Sequence, residues 1–189
     1  MAIVAGMPHG GDCGTVAHRR RSVLPAPTAL AGLGTVLCLY RPERGGELAG
    51  WGRAEAAESR VRMDSEGVIE SLRFRDAAGD CCWRLYLLPE SDFLAWDRLQ
   101  SRLPAADESE PRQCIADRLW RRLAGNLRGD AWHVCPLRLH AVAQAGRACL
   151  AASAAPLSAP GAELARRIAR IENACLDPSA SNGLMDMRF

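Results

Sequence analysis

Lysine is absent from this 189-residue chain, and all 24 of its basic residues are arginines. That absence excludes a Schiff-base lysine and a phosphate-loop lysine. It leaves every cationic contact to guanidinium groups, which suit planar, bidentate pairing with carboxylate or phosphate. An excess of one charge is also missing: 24 basic against 22 acidic residues gives a formal net charge of +2. Such a balance argues against a nucleic-acid binder working through Arg19–Arg21 and Arg121–Arg122, and against attraction to an anionic membrane surface. The longest nearly apolar run, ALAGLGTVLCLY (29–40), is too short to span a bilayer and is broken by glycines, so no membrane insertion is expected. The start, MAIVAGMPHGGDCG, lacks a basic region followed by an apolar core, so a cytoplasmic location with eight reduced cysteines is the expectation.

Chemical motifs are equally sparse. There is no CxxC and no HxxxH pair, which disfavours a zinc ribbon or finger; His9, Cys13 and His18 in the N-terminal arm are the other candidates for a metal, against an unstructured arm. There is no GxSxG, no phosphate-cradling glycine loop and no pair of carboxylates on a helical face, so no pattern assigns a catalytic role. In GLGTVLC (32–38) the glycines precede a strand, whereas a dinucleotide turn follows one.

What is present is a composition, 48% apolar, that suits one globular domain burying roughly two-thirds of its unfolded surface. Residues 1–28, rich in Gly and Pro, read as a loose arm; 29–176 as a single α+β domain; 177–189 as a frayed tail. Strands are expected near Gly34–Tyr40, Arg60–Asp64 and Val68–Asp76, with turn signals in RPERGGELAG (41–50).

The segment SLRFRDAAGDCCWRLYLLPESDFLAWDRL (71–99) predicts a hairpin and then a helix. With Ala77–Asp80 as a four-residue loop, Asp76 opposes Cys81, Phe74 opposes Trp83 and Leu72 opposes Leu85. One face then carries Leu72, Phe74, Trp83, Leu85 and Leu87, and the other Ser71, Arg73, Arg75, Cys82, Arg84 and Tyr86. Arg73 falls opposite Arg84, where like charges repel unless water, a carboxylate or a bound anion intervenes. Beyond Pro89, Ser91 is the expected N-cap of a helix with Phe93, Trp96, Leu99 and Leu103 on its buried side. An acidic linker (105–111) and a helix near Gln113–Ala124 follow. The last third echoes the plan, with an alternating run (137–150), a glycine turn and a helix (159–176) bearing Leu164, Ile168, Ile171 and Cys175. Residues 68–103 and 131–176 thus read as a duplicated ββα unit.

Three sets of residues are candidates for a site. In WHVCPL (132–137), His133 and Cys135 share one side of a strand; a thiolate or imidazole there suits iron, but a structural cysteine before an edge-strand proline is the favoured reading. His140 lies on the alternate face beside Arg138, either a bland strand residue or an iron ligand. Arg73, Arg75 and Arg84, with Tyr86, form either a solvated outer face or a clamp for carboxylates or phosphates.

Residues 70–99 also resemble the recurrent segment of the cytoplasmic haem-handling proteins of bacterial iron uptake, the haemin-degrading and haem-trafficking family. The resemblance rests on Ser71, Leu72, Phe74, Asp76, Ala77, Gly79, Tyr86, Leu87, Ser91, Asp92, Ala95, Trp96 and Leu99. It implies an α+β fold in which a large antiparallel sheet is flanked by helices. It also implies a protein that stores, delivers or helps degrade haem. Under that reading the iron ligand comes from His133, His140, Cys135 or Tyr86, the histidines foremost, and Arg73, Arg75 and Arg84 meet the propionates. The competing expectation is a non-catalytic interaction module, a homodimer that uses the same sheet to meet another protein.

Overall fold

A computed structural model of the chain describes residues 24–106 and 131–176. The expected helix at 113–124, most of the acidic linker and of the N-terminal arm, and the tail from 177 lie outside the described residues, as do His9, Cys13, His18 and the arginine clusters at 19–21 and 121–122. The described chain is α+β. In order it forms α1 (Pro27–Ala31), β1 (Thr35–Tyr40), β2 (Ala56–Asp64), β3 (Gly67–Arg75), β4 (Cys81–Tyr86), α2 (Phe93–Gln100), β5 (His133–Gln144), β6 (Arg147–Ala154), α3 (Ala159–Glu172) and β7 (Cys175–Leu176). The strands make one curled sheet, a half-barrel, in the order β2-β3-β4-β1-β5-β6. All of these neighbours are antiparallel; the two-residue β7 pairs parallel with β5 and makes the sheet mixed.

Alternation along the strands sends apolar side chains to both faces. On the first face Val36, Cys38, Ala57, Leu72, Phe74, Trp83, Leu85, Cys135, Leu137 and Leu139 are buried under α1 and α2, which contribute Leu30, Trp96 and Leu99, and under Leu33 of the turn after α1. On the second face Leu37, Leu39, Ile69, Tyr86 and Val134 are buried under Ala165, Ile168 and Ala169 of α3. An antiparallel sheet clean on one side would leave its second face to water. Here α3 covers it, and this decides the fate of the arginines.

The hairpin register matches the sequence reading at Phe74↔Trp83, Arg73↔Arg84 and Leu72↔Leu85, but it slips after Phe74, where Arg75, not Asp76, opposes Cys81. The extra residue in β4 is Cys82, a β-bulge. The bulge turns Cys82 into the first core, with Sγ 3.3 Å from the Gly50 carbonyl, and leaves Cys81 on the arginine side, the reverse of the expected alternation. The cause lies in the preceding loop. Gly50 runs so close to β4 that a Cβ there would sit 2.8 Å from Trp83 Cβ and against the Cys82 carbonyl, so glycine alone permits the approach.

Other expectations also need correction. Asp92, not Ser91, caps α2 through Oδ1 and the Ala95 N–H (2.9 Å), while Ser91 Oγ ties the loop to β1 by donating to the Thr35 carbonyl (2.6 Å). Phe93 is exposed, and Trp96 and Leu99 alone form the buried stripe of α2. α3 stops at Glu172 with Asn173 in the left-handed region, so Cys175 belongs to β7 and not to the helix stripe. The strand carrying Pro136 is interior, between β1 and β6. Pro136 is tolerated because its carbonyl points to the β6 side, accepting from Ala155, so its missing N–H falls in the gap between β7 and β6. The two ββα segments dock helices of different length on opposite faces, and nothing among the described residues supports a duplication.

Candidate functional site

The second face between β2, β3, β4 and the last turns of α3 gathers the charged side chains. Arg75 Nε and Nη2 reach Glu58 Oε1 on β2 at 3.1 and 2.7 Å. Arg84 is ion-paired with Glu172 of α3, takes Cys81 Sγ as a second acceptor at 3.2 Å, and lies 4.7 Å from the centroid of the Trp132 ring; Arg41 approaches the same ring at 4.5 Å. The predicted repulsion between Arg73 and Arg84 is therefore answered by a carboxylate from α3. Arg75 and Arg84 are thus each held by a carboxylate of the protein itself.

Arg73 is buried and lines a different feature, a small cleft of about 20 Å3, partly open to solvent, between the sheet and α3. Its companions there are Arg60 and Arg62, which the alternation of β2 places beside Ser71 and Ile69 of β3. The strand expected at Arg60–Asp64 begins at Ala56, which adds Glu58 to the face that carries Arg60 and Arg62. The i+4 spacing from Ile168 to Glu172 was the available signal that the helix delivers a carboxylate to the same place.

Tyr86 sits in this wall, where burial and the Glu172 carboxylate push its hydroxyl pKa above the ordinary value. Burial opposes the charge of Arg84, yet Cys81, Glu172 and Tyr86 more than offset this and hold it protonated. Burial, with Cys81 and Asp76 nearby, pushes the Cys82 thiol up to about 11. A folded thiol that keeps its proton to higher pH than the unfolded one contributes stability present below pH 9 and lost as pH rises towards 11, and Tyr86 acts in the same direction from about pH 10. Urea unfolding should thus show a loss of about 2 kcal/mol between pH 8 and pH 11; an unchanged midpoint would contradict the assigned environments.

The remaining candidates lie elsewhere. His133 and Cys135 belong to the first face, His133 tilted against Tyr40 (centroids 5.9 Å apart) and Cys135 buried opposite Cys38. His140 lies on the second face, its Nε2 2.8 Å from Ser153 Oγ, in a wide open groove with Arg138, Glu90 and Asp92. Seven residues of one strand put His133 and His140 about 23 Å apart and on opposite faces. The two histidines are therefore divided by the sheet and not brought together, and α3 lies over the second face beside Tyr86. Among the described residues no group of three His, Cys, Asp or Glu side chains is placed to hold a metal ion, and no helix is long and apolar enough to cross a membrane.

A second feature is a sheet edge. β5 and β6 are joined by a two-residue turn, Ala145–Gly146, with φ of 49° and 76°. Gln144 and Arg147 therefore close the ladder, and alternate residues Cys149, Ala151 and Ser153 turn their backbone groups inward to β5. Ala148, Leu150, Ala152 and Ala154 present theirs outward, at the end of the strand order among the described residues. This eight-residue strand, RACLAASA, has one charge, no proline and no bulge, the usual means of blunting an edge. β2, the opposite edge, is partly covered by the Pro104–Ala106 segment through Ser59. No family model and no curated protein matches the chain.

Proposed function

We propose that the protein is a non-catalytic interaction module that works as a homodimer, joined through β6 to the same strand of a second copy. The observation that carries this reading is the unblunted β6 edge. A two-fold axis at Ala151 puts Leu150 opposite Ala152 of the second copy and Ala148 opposite its Ala154, so every outward residue finds a partner and about eight backbone hydrogen bonds form. The side chains brought together are small, Ala151 against itself and Cys149 against Ser153, and permit close approach. The antiparallel register also keeps the two Arg147 side chains about 27 Å apart, whereas parallel pairing would oppose them. The joined sheets leave the outer surface of α2, with exposed Phe93 and Leu94, for other partners.

Light scattering of the full chain should give twice the 20.4 kDa monomer mass at tens of micromolar. Ala152→Pro removes an outward N–H at an edge position that tolerates proline, and should give the monomer mass with an unchanged circular dichroism spectrum. A monomeric parent chain, or an Ala152→Pro variant that stays dimeric, would overturn the proposal.

A further inference from the structure

β5 is twice as long as β1, the strand beside it. Thr35–Tyr40 of β1 pair with His133–Arg138, so the second half of β5, Leu139–Gln144, has β6 on one side and, among the described residues, no strand on the other. Gly34 is the cause: at φ of 74° it turns the preceding chain away to α1, and a Cβ there would lie 3.1 Å from the Asp92 nitrogen. Because Gln144 and Arg147 close the β6 ladder, the even-numbered residues of this half bond β6, and the odd-numbered ones turn their N–H and C=O groups the other way. Ala141 and Ala143 thus present four backbone groups along the line that a longer β1 would follow, and both residues are exposed.

Beside this edge lies the open groove that holds His140, about 500 Å3 in volume and lined by Gly32, Gly34, Glu90, Asp92 and Arg138 as well. Its carboxylates are committed: Glu90 accepts from the N–H and the hydroxyl of Ser158, and Asp92 caps α2. Its basic side chains are not. Arg138 is exposed and makes no ion pair among the described residues, and the His140 ring meets the Ser153 hydroxyl and no carboxylate. Val142, 43% exposed, follows on the same face of β5.

We infer that this edge takes an extended peptide of a partner protein as an added strand, antiparallel to β5 and in line with β1, with an acidic residue beside Arg138 and His140. Alternation fixes the pattern. The peptide residues opposite Val142 and His140 share the second face, so the segment reads apolar, any, acidic from its N-terminal side. Main-chain bonds to Ala141 and Ala143 supply affinity, and the guanidinium and imidazole select the carboxylate. The inference rests on the interaction-module reading and not on the self-pairing of β6, which uses the other edge of the β5–β6 hairpin.

Titration of the full chain, followed through the amide resonances of Ala141 and Ala143, tests this with an acetylated and amidated hexapeptide, Ser-Thr-Val-Thr-Glu-Ser, and with its Gln counterpart. The Glu peptide should bind once per chain, shift both resonances saturably and slow their exchange with solvent. The Gln peptide should bind severalfold more weakly, with the larger difference at low salt, and Arg138→Gln should erase that difference. Ala141→Pro removes an unpaired edge N–H where proline is tolerated, and should weaken both peptides tenfold or more. Arg98→Gln, on the exposed surface of α2, should leave both affinities unchanged. No saturable binding, equal binding of the two peptides, or an affinity indifferent to Ala141→Pro would overturn the inference. So would slow exchange at Ala141 and Ala143 without peptide, which would give the edge to a second copy or to the chain itself. A chain that is monomeric and passes these tests would overturn the dimer and leave this inference standing.

Discussion

Replacing Trp83 with alanine should lower the free energy of unfolding by about 3–5 kcal/mol, the largest single effect expected in this fold. Trp83 is fully buried, and its ring is the centre of the first core: 4.9 Å from Phe74 across the hairpin and 6.0 Å from Trp51 in the preceding loop, with Phe74 and Trp51 themselves 5.8 Å apart, edge to face. Its indole N–H also donates to the Glu47 carbonyl at 2.7 Å. Truncation removes the transfer energy of the ring, opens a cavity that the bulge at Cys82 hinders from closing, and releases the loop that Gly50 docks on β4. Trp83→Phe keeps most of the ring and loses the hydrogen bond, and should cost about 1–2 kcal/mol. Urea unfolding monitored by circular dichroism measures both; a loss under about 1 kcal/mol for the alanine variant would show that the loop and hairpin are not one packed unit.

Glu172→Ala should cost about 3 kcal/mol, at the low end of the range for breaking a buried ion pair, because the Arg84 and Glu172 side chains are only 14% and 16% exposed. The variant leaves the Arg84 guanidinium under α3 with Cys81 and the Trp132 face but without a counter-charge. Most of that loss is the penalty of the abandoned charge and not the worth of the pair, so Arg84→Met combined with Glu172→Ala should recover the greater part of it. Additive losses in the double variant would contradict this account of how α3 is held on the sheet.

The hairpin was legible because period-2 alternation and a small-residue turn fix register locally, and Phe74↔Trp83 and Arg73↔Arg84 stand where alternation puts them. The bulge at Cys82 was not, since it follows from the close approach of Gly50, more than thirty residues away. The stripe of α3 could be read from Leu164, Ile168 and Ile171. Which sheet face receives that stripe is a tertiary choice that no local period encodes, and it turned an expected solvated arginine face into ion pairs and a small cleft. His133, Cys135 and His140 illustrate the same limit. Their alternation along β5 was readable, and it places them on opposite sides of a strand with its second face shared between α3 and solvent. The β6 edge was hidden in plain alternation: its significance is its place at the end of the strand order, and only topology supplies that.

Hydrogen exchange at the amides of Leu150 and Ala152, followed over a dilution series of the full chain, tests the self-pairing of β6 most directly. Both N–H groups point away from β5, so the dimer predicts slow exchange at high concentration that becomes fast on dilution, while the inward amides of Cys149 and Ala151 stay protected throughout. Fast exchange of Leu150 and Ala152 at every concentration would contradict it.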